Sequence, residues 1–229
     1  MSDVFVDALR YPFADRARVD GTATCLVALL VGGTLLRLAA RLWPDLTFLA
    51  PALAAVVPLV VFLGLVGGVL AGDGFPPLAT TETLRLAGRV VGVASVYLFP
   101  AAVTVVAVGY VTATGSIPAV LTGVTTAMLA TVALLVTVVC AYLFPAATAV
   151  SVHEGLRAGL RRDALRGAAS GTYFFAWVGA AVLVVLAWSA LAATISRSVA
   201  ALLALGWCAY AHVAAAALVA EGVGRTTPW

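Results

Sequence analysis

The sequence predicts an all-α, polytopic membrane bundle of about six transmembrane helices with short cytosolic interfacial amphipathic helices. Three observations predict it. Of 229 residues, 63% are hydrophobic and only 10% charged, whereas a soluble domain carries roughly a quarter charged residues. Six apolar stretches each reach the length of about 20 residues that a bilayer-spanning helix needs. The arginines gather in alternate connections between those stretches, as the positive-inside rule requires.

The six windows are 22–43, 48–72, 87–112, 118–146, 172–195 and 199–220. Lipid-facing backbone must satisfy its own amides, so each window is read as helix. Together they make one integral membrane domain, with an N-terminal interfacial segment at 1–21, a bundle at 22–220 and a tail at 221–229. The fourth window exceeds one span, and either tilts or continues past a bend at Pro145.

All 13 basic residues are arginine. With the N-terminus inside, Arg10, Arg16, Arg18, Arg85, Arg89, Arg157, Arg161, Arg162, Arg166 and Arg225 are cytosolic, and Arg37, Arg41 and Arg197 are external. Ten against three orients the bundle, and six spans return the C-terminus to the cytosol, so a multi-pass protein of the cell membrane is expected. Arg37 and Arg41 can snorkel outward. The net charge of +3 sits almost wholly on one side. It is therefore a topology signal, and nucleic acid is not an expected partner. Trp43, Trp177 and Trp207 fall near or towards span ends, while Trp188 lies deeper.

Three amphipathic stretches lie on the cytosolic side. Phe5, Leu9 and Phe13 recur at helical spacing until Pro12 interferes. A second begins at Thr80 or Thr81 as N-cap, with Glu82 in the first turn and Leu84, Arg85 and Arg89 leading into the third span. The third, 153–168, sets Leu156, Leu160 and Ala164 on one face and Arg157, Arg161 and Arg162 on another, the pattern of a helix lying in the lipid interface. Arg157, Arg161, Arg162 and Arg166 are its lipid-contacting candidates, each contributing about 1 kcal/mol towards anionic headgroups at moderate salt.

Two internal echoes occur: Tyr97-Leu-Phe-Pro-Ala-Ala102 against Tyr142-Leu-Phe-Pro-Ala-Ala147, and Asp7-Ala-Leu-Arg10 against Asp163-Ala-Leu-Arg166. The first pair lies on spans of opposite direction, which argues against a simple tandem repeat. The stretch Asp7-Ala-Leu-Arg-Tyr-Pro-Phe13, the loop Ala71-Gly-Asp-Gly-Phe-Pro-Pro77 with the following 83–100 segment, and the 142–173 region resemble the archaeal membrane family named domain of unknown function 4013, described mainly from halophiles. The resemblance covers nearly the whole chain. It implies the same topology and carries no assigned activity or catalytic residue, and the sparse charges after Phe75 and Pro76 depart from the more acidic loop of that family.

Candidate sites are few. Pro51 and Pro58, Pro100 and Pro145 each remove a helix hydrogen bond and free a carbonyl one turn earlier. Broken helices of that kind build transporter sites, although proline is also common in static membrane helices. The pairs Gly64/Gly68, Gly88/Gly92 and Gly167/Gly171 have the spacing for close helix approach. His212 is the one ionisable residue well inside a predicted span, with Cys208 one turn away and Tyr210 beside it. Cys25 and Cys140 fall at a similar depth, so a soft-metal ligand set can be drawn. The simpler reading has the cysteines as small apolar groups and a neutral His212 bonded to Tyr210 or a backbone carbonyl. No disulfide or CxxC zinc spacing is present, and no hydrolase, metalloprotease or nucleotide-binding motif. No cofactor, metal or catalytic residue is therefore assigned. The residues favour a non-enzymatic structural or accessory membrane component, its partners the lipid bilayer and a homo-oligomer or membrane complex. A small-solute permease is the alternative reading, and an intramembrane metal or redox protein a second.

Overall fold

A computed structural model describes residues 2–78, 80–114, 122–161, 166–194 and 198–224. Their regular elements are all helical: α1 (Ser2–Arg10), α2 (Arg16–Leu42), α3 (Leu49–Ala71), α4 (Thr81–Ala113), α5 (Thr122–Glu154), α6 (Leu156–Gly159), α7 (Gly171–Thr194) and α8 (Ser198–Gly224), with three short 3-10 turns between them. Six of these helices are long and apolar enough to cross a bilayer. The chain is a multi-pass membrane protein built as an all-α bundle.

Helix ends follow local chemistry more than hydropathy. α2 starts six residues before the apolar window because the Asp15 side chain accepts from the Arg18 backbone N–H at 2.8 Å. α3 stops where Gly72 enters the left-handed region at φ +87 and the Asp73 N–H reaches back to the Gly68 carbonyl. Thr80 caps α4 through the Thr83 N–H, as its position predicts, and Glu82 occupies the first turn.

α5 runs through Pro145 to Glu154, so the long fourth window continues past the proline. Gly155, at φ +98, then breaks the helix. Among the described residues, the interfacial helix expected over 153–168 is not a single continuous helix. His153 belongs to α5, α6 is one turn long, and Gly167–Ala169 is a 3-10 turn. Its expected residues Arg162, Asp163 and Ala164 lie outside the described residues, as do Arg197 and Arg225. Gly159 packs so tightly on α5 that an added Cβ would lie 2.5 Å from the Ala147 carbonyl oxygen, and the chain therefore doubles back along α5.

α4 and α5 have 33 residues each, about 50 Å at 1.5 Å per residue, against a hydrocarbon core of about 30 Å. Their charged side chains mark where the excess goes: Glu82, Arg85 and Arg89 begin α4 and Glu154 ends α5, with neutral residues in between. Both helices therefore project beyond the core on the face that carries the N-terminus. There α1 crosses α8, with the Tyr210 hydroxyl donating to the Leu9 carbonyl at 2.9 Å and the Phe5 ring close against Gly179 of α7. α1 and the second half of α8 thus lie at one face.

The core centres on the second half of α8, where Ala209, Ala211 and 213–219 are buried with Tyr173, Ala176 and Ala180 of α7, Val69 and Leu70 of α3, and Ala146 and Ala149 of α5. Lipid offers no hydrophobic force between helices, so small residues that permit close approach hold the bundle. Gly64 and Gly67 of α3 play this part against Thr83 and Val90 of α4, and Gly68 against Gly74 and Pro76 of the α3–α4 loop. Gly88/Gly92 does not bring two helix backbones together within the chain. Gly88 and Gly171 face open space, and Gly92 receives the Leu156 side chain.

Candidate functional site

Pro145 cannot donate to the Ala141 carbonyl four residues earlier. That carbonyl accepts instead from the Trp177 indole N–H of α7 at 3.0 Å. One turn away, the fully buried Tyr173 hydroxyl donates to the carbonyl of Tyr142, the residue next to Ala141. Tyr142 completes the cluster edge-on to both rings, at centroid distances of 5.0 Å to Tyr173 and 5.2 Å to Trp177, and its own hydroxyl donates to the Ala168 carbonyl. The interruption in α5 is therefore sealed by protein donors, a known cause of tolerated intramembrane prolines.

The remaining prolines sit in different surroundings. Pro58 is half-buried near Gly32 of α2, where an added Cβ would lie 3.7 Å from its ring. Pro100 is exposed, one helix face away from the bundle, with Thr104 bonded to the Pro100 and Ala101 carbonyls. Pro51 falls in the first turn of α3, whose N–H groups have no intrahelical partner, so it frees no carbonyl. The described residues do not gather Pro58, Pro100 and Pro145 around one cavity.

His212 lies between the rings of Phe62 and Trp188, edge-on to each at 5.5 and 6.0 Å. Its Nδ1 is 2.7 Å from the Cys208 carbonyl and its Nε2 is 3.4 Å from the Trp188 indole nitrogen. A carbonyl only accepts and an indole N–H only donates. The imidazole is consequently the neutral Nδ1–H tautomer with both nitrogens engaged. Its partner is a backbone carbonyl and not Tyr210, whose hydroxyl serves α1 and whose ring stacks on Phe13 and Trp207. Cys25 and Cys208 are buried in the apolar cluster around Phe62 and Leu65, and Cys140 stands apart on α5. No group of three potential metal ligands occurs among the described residues.

Polar groups concentrate on the N-terminal face. Arg89 donates to the Val152 carbonyl and His153 Nε2 bonds the Ala71 carbonyl at 2.9 Å, so side chains cap the last turns of α5 and α3. Tyr97 donates to the Gly159 carbonyl at 3.2 Å. A groove of about 250 Å³ lies between the first 3-10 turn and the α3–α4 loop, lined by Tyr11, Asp15, Arg18 and Asp73. In it the Arg18 guanidinium stands 4.2 Å above the Tyr11 ring while its Nε contacts Asp15 at 3.1 Å. Burial pushes the Tyr11 phenol above its ordinary value, opposed by the Arg18 charge. Arg157, Arg161 and Arg166 are exposed on the same face.

Trp177, Tyr173, Arg89 and His153 carry the polar geometry; the sequence marks Trp177 as a span-end residue and Arg89 as part of an amphipathic stretch, and assigns none of the four to a site. The one written signal is the echo: Tyr97 and Tyr142 both stand three residues before a proline, and both donate to carbonyls of the connection between α5 and α7. Comparison with family models, with curated proteins and with solved structures returned no match.

Proposed function

We propose that this chain is a non-catalytic accessory component of the cell membrane, with both termini cytosolic, which acts through lateral contact with a membrane partner. The orientation rests on the arginine distribution, ten on the terminal side against three. The resemblance to the domain of unknown function 4013 family is offered in the same sense, on the motifs quoted above.

One observation carries the reading. The distal halves of α4 and α5 pack chiefly on each other, leaving Val106, Tyr110, Val124 and Met128 each about two-thirds exposed, while the opposite ends of the same helices are buried in the bundle. A hairpin anchored at one end and bare at the other offers a broad face to another membrane polypeptide. The polar groups that a permease would use are instead bonded internally at Ala141 and His212.

Photo-crosslinking in native membranes tests it. A photoreactive residue at Val106 or Met128 is expected to give one protein adduct of defined mass, twice the chain's own for a homo-oligomer, and the same probe at exposed Val57 of α3 only lipid adducts. Lipid adducts alone at all three positions would reject the proposal.

A further inference from the structure

α2 and α8 touch around Cys25 and Cys208 and part towards the face opposite the termini. Cys25, Ala28 and Leu29 share a buried cluster with Cys208, Ala209 and Ala211. Beyond Leu29 the helices separate, and a cleft of about 430 Å³ opens between them and α7, within the ~300–1,000 Å³ range of small-molecule sites. Leu29, Leu30, Leu191, Leu202 and Leu205 form its apolar walls, and Arg37 stands at its outer end.

The position of Arg37 decides what the cleft can hold. Trp43, two-thirds exposed and edge-on to Phe48, places the headgroup layer at the end of α2. Arg37 precedes it by six residues, about 9 Å at 1.5 Å each, a depth from which the long side chain reaches the layer. From Arg37 down to Leu29 is another eight residues, which puts Leu29 about 21 Å below the Trp43 level, so the cleft spans the ~15 Å of one leaflet's hydrocarbon. Among the described residues the Arg37 guanidinium makes no ion pair or hydrogen bond, and its fork of donors matches a phosphate bidentately. An apolar slot one acyl chain deep, with a free cation at its mouth, complements an amphiphile that has a phosphate at one end.

We propose that this cleft is a binding site for a membrane phospholipid of the leaflet opposite the termini, with an acyl chain between α2, α7 and α8 and the phosphate on Arg37. The site is separate from the α4–α5 face and does not depend on the partner reading.

Native mass spectrometry of protein released from phosphatidylglycerol nanodiscs provides the test, with diacylglycerol, which lacks the phosphate, as the second ligand. Wild type is expected to retain one phosphatidylglycerol and no diacylglycerol. Arg37→Gln should lower retention about tenfold, the order of one lost charge-assisted contact. Arg85→Gln, which removes the same charge from an exposed position at the other face, should leave retention unchanged. Gly33→Phe, built where an added Cβ meets open space, should block the slot by bulk with the phosphate contact intact. Equal retention in wild type and Arg37→Gln, an equal loss in Arg85→Gln, or diacylglycerol held as well as phosphatidylglycerol would each overturn the assignment.

Discussion

The Trp177 indole N–H occupies the carbonyl of Ala141 that Pro145 leaves without a helical donor. A proline and a tryptophan 32 positions apart thus form one hydrogen-bonding unit across α5 and α7. Trp177→Phe keeps the ring and strands that carbonyl, at a cost of about 1–2 kcal/mol, and a drop of about 2–4 °C in the detergent melting temperature is expected for each kcal/mol. Pro145→Ala restores the backbone donor. In that background Trp177→Phe should cost markedly less, and a double-mutant cycle should give a coupling of at least about 0.5 kcal/mol. Additive melting shifts would refute the pairing.

Close backbone approach makes a second, sharper contrast. A Cβ on Gly64 would lie 2.6 Å from the Thr83 backbone oxygen, an atom that cannot swing aside, whereas one on Gly88 meets nothing within 4 Å. Gly64→Ala should therefore separate α3 from α4 and destabilise by about 1–3 kcal/mol. Gly88→Ala should be neutral or stabilise by up to about 1 kcal/mol through helix propensity. Thermal unfolding of the two variants checks both signs, and equal shifts would show that the α3–α4 approach is not held by Gly64.

The spans were legible because lipid solvation imposes a length and an apolarity that few alternatives satisfy. Details set by single residues were legible only where the rule is local: the Thr80 cap was readable, and the fate of the Pro145 carbonyl was not. A proline announces a missing donor, but its replacement comes from α7, and nothing in the sequence around Pro145 points to Trp177. The stretch 153–168 misled for a related reason. Leu156, Leu160 and Ala164 keep helical period, yet Gly155 and Gly159 interrupt it, and a glycine at φ +98 outweighs a periodic pattern. His212 was found by charge and depth alone, while its tautomer needed Trp188 from another helix.

His212 gives a prediction that separates packing from ligation. With Nδ1 on the Cys208 carbonyl and Nε2 facing the Trp188 N–H, the ring fills space and satisfies an indole. His212→Ala should cost roughly 1–3 kcal/mol through the cavity and the stranded donor. Elemental analysis of purified protein should return the same metal content for wild type and variant. A stoichiometric metal present in wild type and missing from His212→Ala would establish a ligand role.

Membrane sidedness rests on arginine counting and is directly testable. Leu46, 80% exposed in the turn between α2 and α3, and Leu78, 56% exposed in the loop between α3 and α4, lie at opposite ends of α3. The native cysteines lie within the membrane-spanning helices, with Cys25 and Cys208 buried, so a membrane-impermeant maleimide reads the introduced thiols. With arginine-rich connections inside, Leu46→Cys should label in intact cells and Leu78→Cys only after the membrane is opened. The reverse pattern would invert the bundle, moving the phospholipid cleft at Arg37 to the cytosolic leaflet without altering its chemistry. Labelling of both from outside would contradict α3 as a span, and with it the six-helix bundle.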